Sequence, residues 1–358
     1  MTEGNRKIRV LIVDDSFFMR KLIRDLLSID SEIEVVGEAK DGIEAVEEAA
    51  RLLPDVILMD YSMPQMSGVE ATGKILERPD PLPVILMLSA YTTEGADETL
   101  ESLRAGAVDF ISKPSGELSL DIEKVKEEII LKVKKLALVQ VRKFEKIKIV
   151  KKTKNQKISS NKVIAKVIVI GASTGGPPVL EDILSRMPAN LNAILIIVQH
   201  MPKRFTETFA KRLDKISPLF VKEAEDGEVL KTGMAYVAPG GTHMKIEKGE
   251  KDNASRTDMV VRLTREPLEY GIWPAIDVSM MSAANYYPYE IMGIILTGMG
   301  DDGLEGMRAI KAVKGHTIVQ DPATAVVGSM PKAVIEEGLA DEILSPDEIA
   351  KRIIELAV

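Results

Sequence analysis

The chain has 358 residues, 45% of them hydrophobic and 28% charged, with a net charge of −8, which is typical of a soluble globular protein with about two domains. The absence of cysteine excludes a disulfide scaffold, a thiolate zinc site, an iron–sulfur cluster and a cysteine nucleophile, and only three histidines are available for imidazole chemistry. No run approaches the roughly 18 apolar residues of a membrane span and the N-terminus lacks a secretory pattern, so we expect a cytoplasmic protein without membrane insertion.

The first predicted domain covers residues 1–138 and alternates short apolar strands with helix-period segments five times. The predicted strands cover 9–13, 33–37, 55–59, 84–88 and 108–111. The first helix follows an N-terminal cap at Ser16, and the last has an apolar stripe over 122–136. Because parallel sheets with helices on both faces produce this alternation, the predicted fold class is α/β, with a doubly wound (βα)5 domain first.

Residues 139–163 are predicted to be a basic linker between two domains. The wider segment 132–166 contains 13 Lys or Arg and a single acidic residue. Such a segment can contact nucleic acid or a membrane surface. Apart from Phe144 it lacks interleaved aromatic residues, so we interpret it as a solvated connection and expect no nucleic-acid partner.

The second predicted domain, 164–358, is again parallel α/β. Its predicted parallel strands cover 165–170, 193–198, 291–296 and 317–319, and its predicted helices cover 177–187, 205–216 and 303–313. Extended pieces around 229–247 and 259–264 flank a polar turn at 248–256 and are expected to form an antiparallel hairpin insertion. Two helices close the domain, and Ser345 caps the last one.

Polar residues follow several strands of the first domain, at the sheet edge where ligands of doubly wound folds gather. Asp14 and Asp15 follow the first strand, and Asp60 follows the third. Ser89 and Lys113 follow the fourth and fifth. Any one aspartate could simply cap a helix, but three carboxylates at one edge would repel unless a cation such as Mg²⁺ neutralised them. A carboxylate beside a metal and a lysine can accept a phosphoryl group.

This pattern resembles the response-regulator receiver family. The matching stretches are Leu-Ile-Val-Asp-Asp-Ser at 11–16, Leu-Met-Asp-Tyr-Ser-Met-Pro at 58–64, Ser89-Ala90 and Ser112-Lys113-Pro114. The resemblance implies that Asp60 accepts phosphate from a histidine kinase. It also implies that Asp14, Asp15 and Asp60 hold Mg²⁺ together with a backbone carbonyl from Ser62.

Three further roles follow from the same resemblance. Ser89 and Lys113 are expected to contact the phosphoryl group. Phe110 is expected to be an aromatic switch that responds to it. Mg²⁺ is therefore the cofactor expected for phosphorylation.

The second domain begins with a glycine-rich turn, Gly171-Ala-Ser-Thr-Gly-Gly, between a strand and a helix. Dinucleotide binding would require glycine at position 173 and an acidic residue after the next strand, where this chain has Gln199 and His200, so we discount it. Acyl transfer uses Gly-x-Ser-x-Gly to expose a serine oxygen at a helix N-terminus, which fits Ser173. A lone serine could also be a helix cap, so the identification of Ser173 as a nucleophile depends on whether a base and an acid are expected nearby.

A serine nucleophile needs an imidazole base and a carboxylate that orients the imidazole. His200 follows a strand and is expected at the same sheet edge as Ser173. For the acid, Asp301 and Asp302 both follow a strand at that edge. His243 is expected in a loop, with a structural or substrate-contacting role. His316 precedes a strand and is therefore expected at the opposite edge of the sheet.

Five motifs resemble the chemotaxis protein-glutamate methylesterase family: Gly-Ala-Ser-Thr-Gly-Gly at 171–176, Gln-His-Met-Pro at 199–202, Ala-Pro-Gly-Gly-Thr-His at 238–243, Leu-Thr-Gly-Met-Gly-x-Asp-Gly at 296–303 and Met-Pro-Lys-Ala-Val at 330–334. The resemblance covers nearly the whole chain. It implies a nucleophile at Ser173, a base at His200 and an orienting acid at Asp302, with the Met299 N–H near the oxyanion.

The implied function is hydrolysis of glutamate γ-methyl esters on methyl-accepting chemoreceptors, with deamidation of selected receptor glutamines, controlled by phosphorylation. The implied partners are the receptors and a chemotaxis histidine kinase, and the esterase reaction is expected to need no cofactor. The alternative is a receiver-gated transcription regulator, which only the basic segment 132–166 favours. The second domain is acidic and has no helix-turn-helix signal, so we predict the esterase.

Overall fold

A computed structural model describes residues 6–79, 81–89, 93–113, 122–137, 166–249, 259–266 and 272–357. The chain divides into two compact units, Met1–Lys146 and Ile147–Val358. The predicted linker 139–163 lies outside the described residues, so the domain limits stay predictions. Ala90, Pro114 and most of the predicted polar turn 248–256 also lie outside them.

The first unit contains a five-stranded parallel sheet with the strand order β2-β1-β3-β4-β5. Its strands are β1 (Ile8–Val13), β2 (Ile33–Ala39), β3 (Val56–Asp60), β4 (Val84–Ser89) and β5 (Asp109–Ser112). Its helices are α1 (Phe17–Leu27), α2 (Gly42–Leu52), α3 (Gly68–Leu76), α4 (Thr93–Ala105) and α5 (Ile122–Leu136). The (βα)5 prediction is confirmed.

Burial and capping explain these elements. Every residue of β3 and β4 is buried, as strands covered on both faces of a parallel sheet require. Polar caps begin the first three helices: Ser16 accepts from the Met19 N–H, Asp41 accepts from the N–H groups of the first turn of α2, and Ser67 forms a capping box with Glu70. The residues that directly follow the strands therefore gather at one sheet edge.

The second unit contains a seven-stranded parallel sheet with the order β14-β13-β12-β6-β7-β9-β8 and a separate two-stranded sheet of β10 and β11. The strands are β6 (Val167–Ala172), β7 (Ile194–Gln199), β8 (Phe220–Glu223), β9 (Met234–Val237), β10 (His243–Lys248), β11 (Met259–Thr264), β12 (Ile291–Ile295), β13 (His316–Gln320) and β14 (Glu342–Leu344). The helices are α6 (Gly176–Ser185), α7 (Phe205–Ile216), α8 (Ile276–Tyr286), α9 (Leu304–Ala312), α10 (Ser329–Glu336) and α11 (Pro346–Ala357).

The hairpin prediction is right for one pair of strands and wrong for another segment. β10 and β11 pair antiparallel, as expected. β9, expected to belong to a hairpin, instead pairs parallel with β7 and β8 in the main sheet. The physical reason is burial: three of its four residues are buried, including Tyr236, which suits an interior strand covered on both faces.

Two glycines let α8 lie close to its neighbours. A Cβ atom on Gly171, in β6, would lie 2.5 Å from Ile276 at the start of α8. A Cβ atom on Gly306, in α9, would lie 2.5 Å from the Cβ of Met280 in α8. Only glycine leaves room for such close backbone approach. As a result, the N-terminus of α8 lies at the carboxyl end of β6.

Candidate functional site

The first unit carries an acidic pocket at the carboxyl ends of β1 and β3. Carboxylate oxygens of Asp14, Asp15 and Asp60 lie within 4.8 Å of one another. Asp14 and Asp60 are buried, whereas Asp15 is exposed. The buried Oδ2 of Asp14 lies 2.8 Å from the Nζ of Lys113. A cluster of three carboxylates, two of them buried, supplies the oxygen ligands that suit a hard cation such as Mg²⁺.

Lys113 follows β5 and lies 2.8 Å from Asp60 Oδ1 as well as from Asp14. Burial raises the pKa of Asp60 to about 6; Lys113 opposes this rise, while Asp14 and Asp15 add to it. Burial would lower the pKa of Lys113, but its hydrogen bonds to the two aspartates raise it. At neutral pH the pocket therefore presents an ionised Asp60 beside a charged Lys113.

The other predicted residues of this pocket lie in or just after the neighbouring strands. Ser89 ends β4 and is buried; its Oγ accepts from Thr99 Oγ1 at 2.6 Å. Phe110, in β5, is also buried, and the Nζ of Lys132 lies 5.7 Å from its ring centroid. Ser62 lies two residues beyond the end of β3. Ser89 therefore ends the strand next to β3, whereas Phe110 is buried near the start of β5.

In the second unit, Ser173 occupies the turn between β6 and α6. Its N–H donates to Thr297 O at 3.0 Å, and its carbonyl accepts from the Gly176 N–H at 2.8 Å. The N-terminal cap of α6 is Gly175, which has a left-handed φ of 76°, and no side chain caps the helix. The helix-cap interpretation of Ser173 therefore fails, because its hydroxyl is not used by the helix.

The hydroxyl of Ser173 faces the base expected from the sequence. His200, which follows β7, lies with Nδ1 at 3.1 Å from Ser173 Oγ. Its other ring nitrogen, Nε2, lies 2.7 Å from Asp302 Oδ2. Asp301 is exposed, and of the two neighbouring aspartates it is Asp302 that contacts His200. The structure brings Ser173, His200 and Asp302 together, while their catalytic roles stay predictions.

Asp302 is held by a helix that the sequence interpretation missed. The N–H groups of Ile276 and Asp277, at the start of α8, donate to its carboxylate at 2.7 and 3.1 Å. Burial alone would raise the pKa of Asp302, but the hydrogen bond and charge of His200 lower it. The sequence does contain a signal for the start of this helix: Pro274 comes shortly before a first turn that contains the acidic residue Asp277, a pattern typical of helix starts.

One of the two other histidines lies where the sequence predicted. His243, expected in a loop, is instead the first residue of β10, because it pairs with Thr264 in β11; it is buried, and its Nδ1 accepts from the Ala275 N–H at 3.2 Å. His316 begins β13, at the amino end of the sheet, and its Nε2 lies 2.5 Å from Glu342. Neither contacts Ser173 among the described residues, which leaves His200 as the imidazole beside the hydroxyl.

The segment that carries Met299 lies against the nucleophile turn. A Cβ atom on Gly298 would lie 2.9 Å from the Cβ of Ser173. The Gly298 N–H donates to Val327 O at 2.9 Å. Within the part of the chain that the structure describes, the N–H of Met299 donates no hydrogen bond. A backbone donor near a nucleophile can stabilise an oxyanion.

Comparisons with known proteins agree with both halves of this description. The family model described as CheB methylesterase matches residues 168–353, and the response regulator receiver domain model matches residues 10–123. No described helix combines the length and apolar character that crossing a bilayer requires.

Curated relatives match nearly the full chain. A protein-glutamate methylesterase/protein-glutamine glutaminase 2 from Carboxydothermus hydrogenoformans is 47% identical over 98% of this chain and 99% of its own. A protein-glutamate methylesterase/protein-glutamine glutaminase from Pyrococcus abyssi is 43% identical over 98% of this chain and 93% of its own. The crystal structure of the Thermotoga maritima CheB methylesterase catalytic domain is 42% identical, with a TM-score of 0.51, over 54% of this chain and 99% of that one. The chain therefore belongs to the CheB methylesterase family and carries a response regulator receiver domain.

Proposed function

We propose that this protein is a phosphorylation-activated protein-glutamate methylesterase that acts in the cytoplasm on methyl-accepting chemoreceptors and deamidates selected receptor glutamines. The observation that carries the proposal is the continuous chain of contacts from Ser173 through His200 to Asp302. The printed names of the full-length relatives support the substrate class. The acidic pocket around Asp60 supports control by a chemotaxis histidine kinase.

The contacts of His200 support a role for this residue in each step of ester hydrolysis. Nδ1 takes the hydroxyl proton of Ser173 as Oγ attacks the γ-ester carbonyl, and Asp302 stabilises the imidazolium through Nε2. The oxyanion forms near the Met299 N–H. Methanol leaves with the proton from His200, and an acyl-enzyme remains. Water then gives a proton to His200 and attacks the acyl carbon; the bond between that carbon and Ser173 Oγ breaks, His200 returns the proton to Oγ, and glutamate leaves.

Deamidation follows the same route with another leaving group. Ser173 attacks the glutamine side-chain amide, and ammonia replaces methanol as the group that His200 protonates. Because an amide is a poorer electrophile than an ester, deamidation is slower. The same acyl-enzyme is formed in both reactions, so both activities require Ser173, and neither requires a cofactor in the second domain.

The receiver residues support the regulatory half of the proposal. Asp60 accepts the phosphoryl group, with Lys113 in contact with it and Ser89 at the end of the adjacent strand β4. Asp14, Asp15 and Asp60, with the carbonyl of Ser62, are the residues that would hold Mg²⁺. When bound, the ion offsets negative charge on the transferred group. The neighbouring Phe110 changes position in response to phosphorylation.

The test is methanol release from receptor membranes that carry labelled methyl esters. The parent protein should release methanol, faster with acetyl phosphate as a small phosphodonor. Ser173→Ala should abolish release, and Asp60→Asn should retain a basal rate that acetyl phosphate does not change. Basal release that a chelator removes would contradict the serine mechanism. Specific DNA binding without methanol release would favour the transcription regulator.

Deamidation has its own readout. Mass spectrometry of a receptor co-expressed with the parent protein should show glutamine-to-glutamate conversion at specific positions. The conversion should be absent with Ser173→Ala. Equal conversion with the parent and the variant would contradict the proposal.

A further inference from the structure

The segment 238–243, between β9 and the start of β10, packs against the chain that carries the catalytic base. A Cβ atom on Gly240 would lie 2.4 Å from the backbone N of Lys203, three residues after His200. The Gly240 N–H donates to Thr206 Oγ1 at 2.9 Å. Only glycine leaves room for such a close backbone approach. One end of the motif Ala-Pro-Gly-Gly-Thr-His therefore lies directly against the backbone that leaves the base.

The other end of the segment, His243, contacts the start of α8. Its Nδ1 accepts from the Ala275 N–H at 3.2 Å. Ala275 is the buried N-terminal cap residue of α8, and no side chain of its own caps the helix. A buried backbone N–H is costly to leave without an acceptor. His243 therefore supplies from another strand the acceptor that the start of α8 needs.

The next two N–H groups of α8 hold the acid of the triad. The N–H groups of Ile276 and Asp277 donate to the carboxylate of Asp302 at 2.7 and 3.1 Å. The Oδ2 of that carboxylate lies 2.7 Å from His200 Nε2. On the α9 side, the Asp277 carboxylate accepts a hydrogen bond of 2.7 Å from the Gly306 N–H. Three successive N–H groups at the start of α8 are thus divided between an imidazole and the catalytic acid.

The contact with Ala275 requires one form of the His243 ring. A backbone N–H can only donate, so Nδ1 carries no proton and Nε2 carries the single proton of a neutral imidazole. Burial lowers the pKa of His243, which favours this neutral ring. The ring of Trp273 meets the imidazole edge-on, with centroids 6.1 Å apart and planes at 87°. The acceptor atom is therefore held in one orientation.

We infer that His243 is a positioning residue of the esterase site: its Nδ1 fixes the start of α8, whose N–H groups hold Asp302 against His200. This inference rests on the proposed serine mechanism and adds a fourth side chain to it. His243 acts through the backbone of Ala275 and through Asp302, and not on the substrate. It also gives a role to the motif at 238–243.

Two other hydrogen bonds between β10 and α8 supply a matched control. Ser279 Oγ donates to Met244 O at 2.7 Å, and Ser282 Oγ accepts from the Ile246 N–H at 3.0 Å. Ser282 lies more than one turn beyond the N–H groups that hold the acid. Ser282→Ala therefore removes a bond between the same strand and the same helix, but at a place where the inference expects no effect on reactivity.

The test uses the full-length protein and a reagent that needs no receptor. A fluorophosphonate probe labels activated serines, and intact mass gives its rate of attachment to Ser173. Two variants of His243 are compared with Ser282→Ala. His243→Asn keeps an oxygen acceptor at the same number of bonds from Cα as Nδ1, and His243→Leu fills similar space without an acceptor. Circular dichroism shows whether each variant is folded.

His243→Leu should label about 10- to 100-fold more slowly than the parent, because a small displacement of the acid misorients the base. His243→Asn and Ser282→Ala should each stay within about threefold. With methylated receptor membranes, the loss in His243→Leu should fall on kcat, while KM changes by less than about twofold. Equal rates for His243→Leu and the parent, or equal slowing of His243→Leu and His243→Asn, would overturn the inference.

A double-mutant cycle separates positioning from general damage to the fold. Changes that act through the same contact are not additive, whereas independent changes multiply. In an Asp302→Asn background, His243→Leu should therefore lower the labelling rate by less than about twofold. A loss as large as in the parent background would show that His243 does not act through Asp302. If His243→Leu does not fold, His243→Gln takes its place with the same expectations, since its amide lies one bond further from Cα than Nδ1 does.

The same experiment separates this inference from the proposed function. A parent protein that labels at Ser173 but releases no methanol from receptor membranes would contradict the proposed substrate. The labelling rates of the His243 variants would still support or overturn the positioning role, because the probe reports on the serine and not on the receptor.

Discussion

Gly298 lies against Ser173 so closely that a side chain at position 298 would collide with the nucleophile. An added Cβ atom would lie 2.9 Å from Ser173 Cβ, and the neighbouring Met330 Sδ blocks the other side. The backbone there is held in place, since the Ser173 N–H donates to Thr297 O and the Gly298 carbonyl accepts from the Met330 N–H. A glycine at position 298 therefore lets the segment that carries Met299 lie directly against Ser173.

Gly298→Ala should lower methyl-ester hydrolysis by about 10- to 100-fold, because the backbone that carries the oxyanion donor must move away from Ser173. The measurement is initial methanol release from methylated receptor membranes. Gly73→Ala is the matched control. An added Cβ there meets nothing within 4 Å, and replacing a helix-interior glycine should stabilise α3 by about 0.5 to 1 kcal/mol without changing the rate. Equal rates for both variants would contradict the prediction.

Asp302→Asn should lower kcat by about 10³- to 10⁴-fold, the size seen when a triad acid loses the ability to hold the correct imidazole tautomer. Asp301→Asn is the control one position away, on an exposed side chain. Its kcat should stay within about twofold of the parent, since surface substitutions rarely perturb a site. Steady-state hydrolysis of a receptor methyl ester measures both. Comparable losses in the two variants would mean that the neighbouring carboxylate can orient His200.

The raised pKa of Asp60 predicts how the receiver responds to pH in the absence of metal. The folded-state pKa of about 6 lies above the ordinary aspartate value of 3.8, so the folded protein binds this proton more tightly than the unfolded chain. Stability therefore falls as pH rises from about 4 to about 6 and stays low above that. Asp60→Asn removes this loss and should stabilise the receiver by about 2 to 3 kcal/mol more at pH 7 than at pH 4.

Hydrogen exchange of the β3 and β4 amides, followed by mass spectrometry in EDTA, measures this effect. The protection gained by Asp60→Asn should grow between about pH 4 and 6 and then level off. A gain that is the same at both ends of that range would show that burial does not destabilise the ionised Asp60.

Residues 1–138 are predicted to inhibit the esterase when Asp60 is unphosphorylated. Residues 1–118 contain 12 basic and 23 acidic residues, and residues 167–358 contain 20 and 27, so two acidic regions flank the basic segment. Because the two acidic regions repel each other at long range, a small change in free energy is enough to shift the equilibrium between docked and undocked domains. Phosphorylation adds about −1.5 to −2 charge at Asp60 and should release the esterase.

Receptor demethylation by three proteins tests this regulation: the parent, Asp60→Asn and the fragment 164–358. The fragment should be faster than the unphosphorylated parent, and Asp60→Asn should not respond to acetyl phosphate. A fragment slower than the unphosphorylated parent would indicate that the receiver recruits the substrate.

The positions of the site residues were predictable because they depend on one strong rule. Parallel strands end at a common edge, so Ser173 and His200, each directly after an apolar strand, had to lie near each other. The hairpin expected around β9 failed because a four-residue strand has no periodicity of its own, and its burial depends on distant partners such as β7.

Other features of the site depend on tertiary contacts that no local pattern encodes. The α8 helix begins after a loop, and its role appears only when its N–H groups meet Asp302 from 25 or 26 positions away. Whether Nδ1 or Nε2 of His200 faces Ser173 depends on the direction of the backbone after the end of β7. The partnership of Asp277 with α9 likewise requires knowing that the two helices pack at their N-termini.

The central position of β6 bears on how this catalytic unit can be re-engineered. β6 lies between β12 and β7, so the nucleophile, the base and the acid come from three adjacent strands in the middle of the sheet. His200 and Asp302 are separated by 102 positions in the chain, yet ladder pairing of β12 and β7 with β6 sets their places. The excursion that contains β10 and β11 is hydrogen-bonded to α8, whose first N–H groups hold Asp302, so an exchange of segments there keeps the reaction centre intact only if these contacts with α8 are retained.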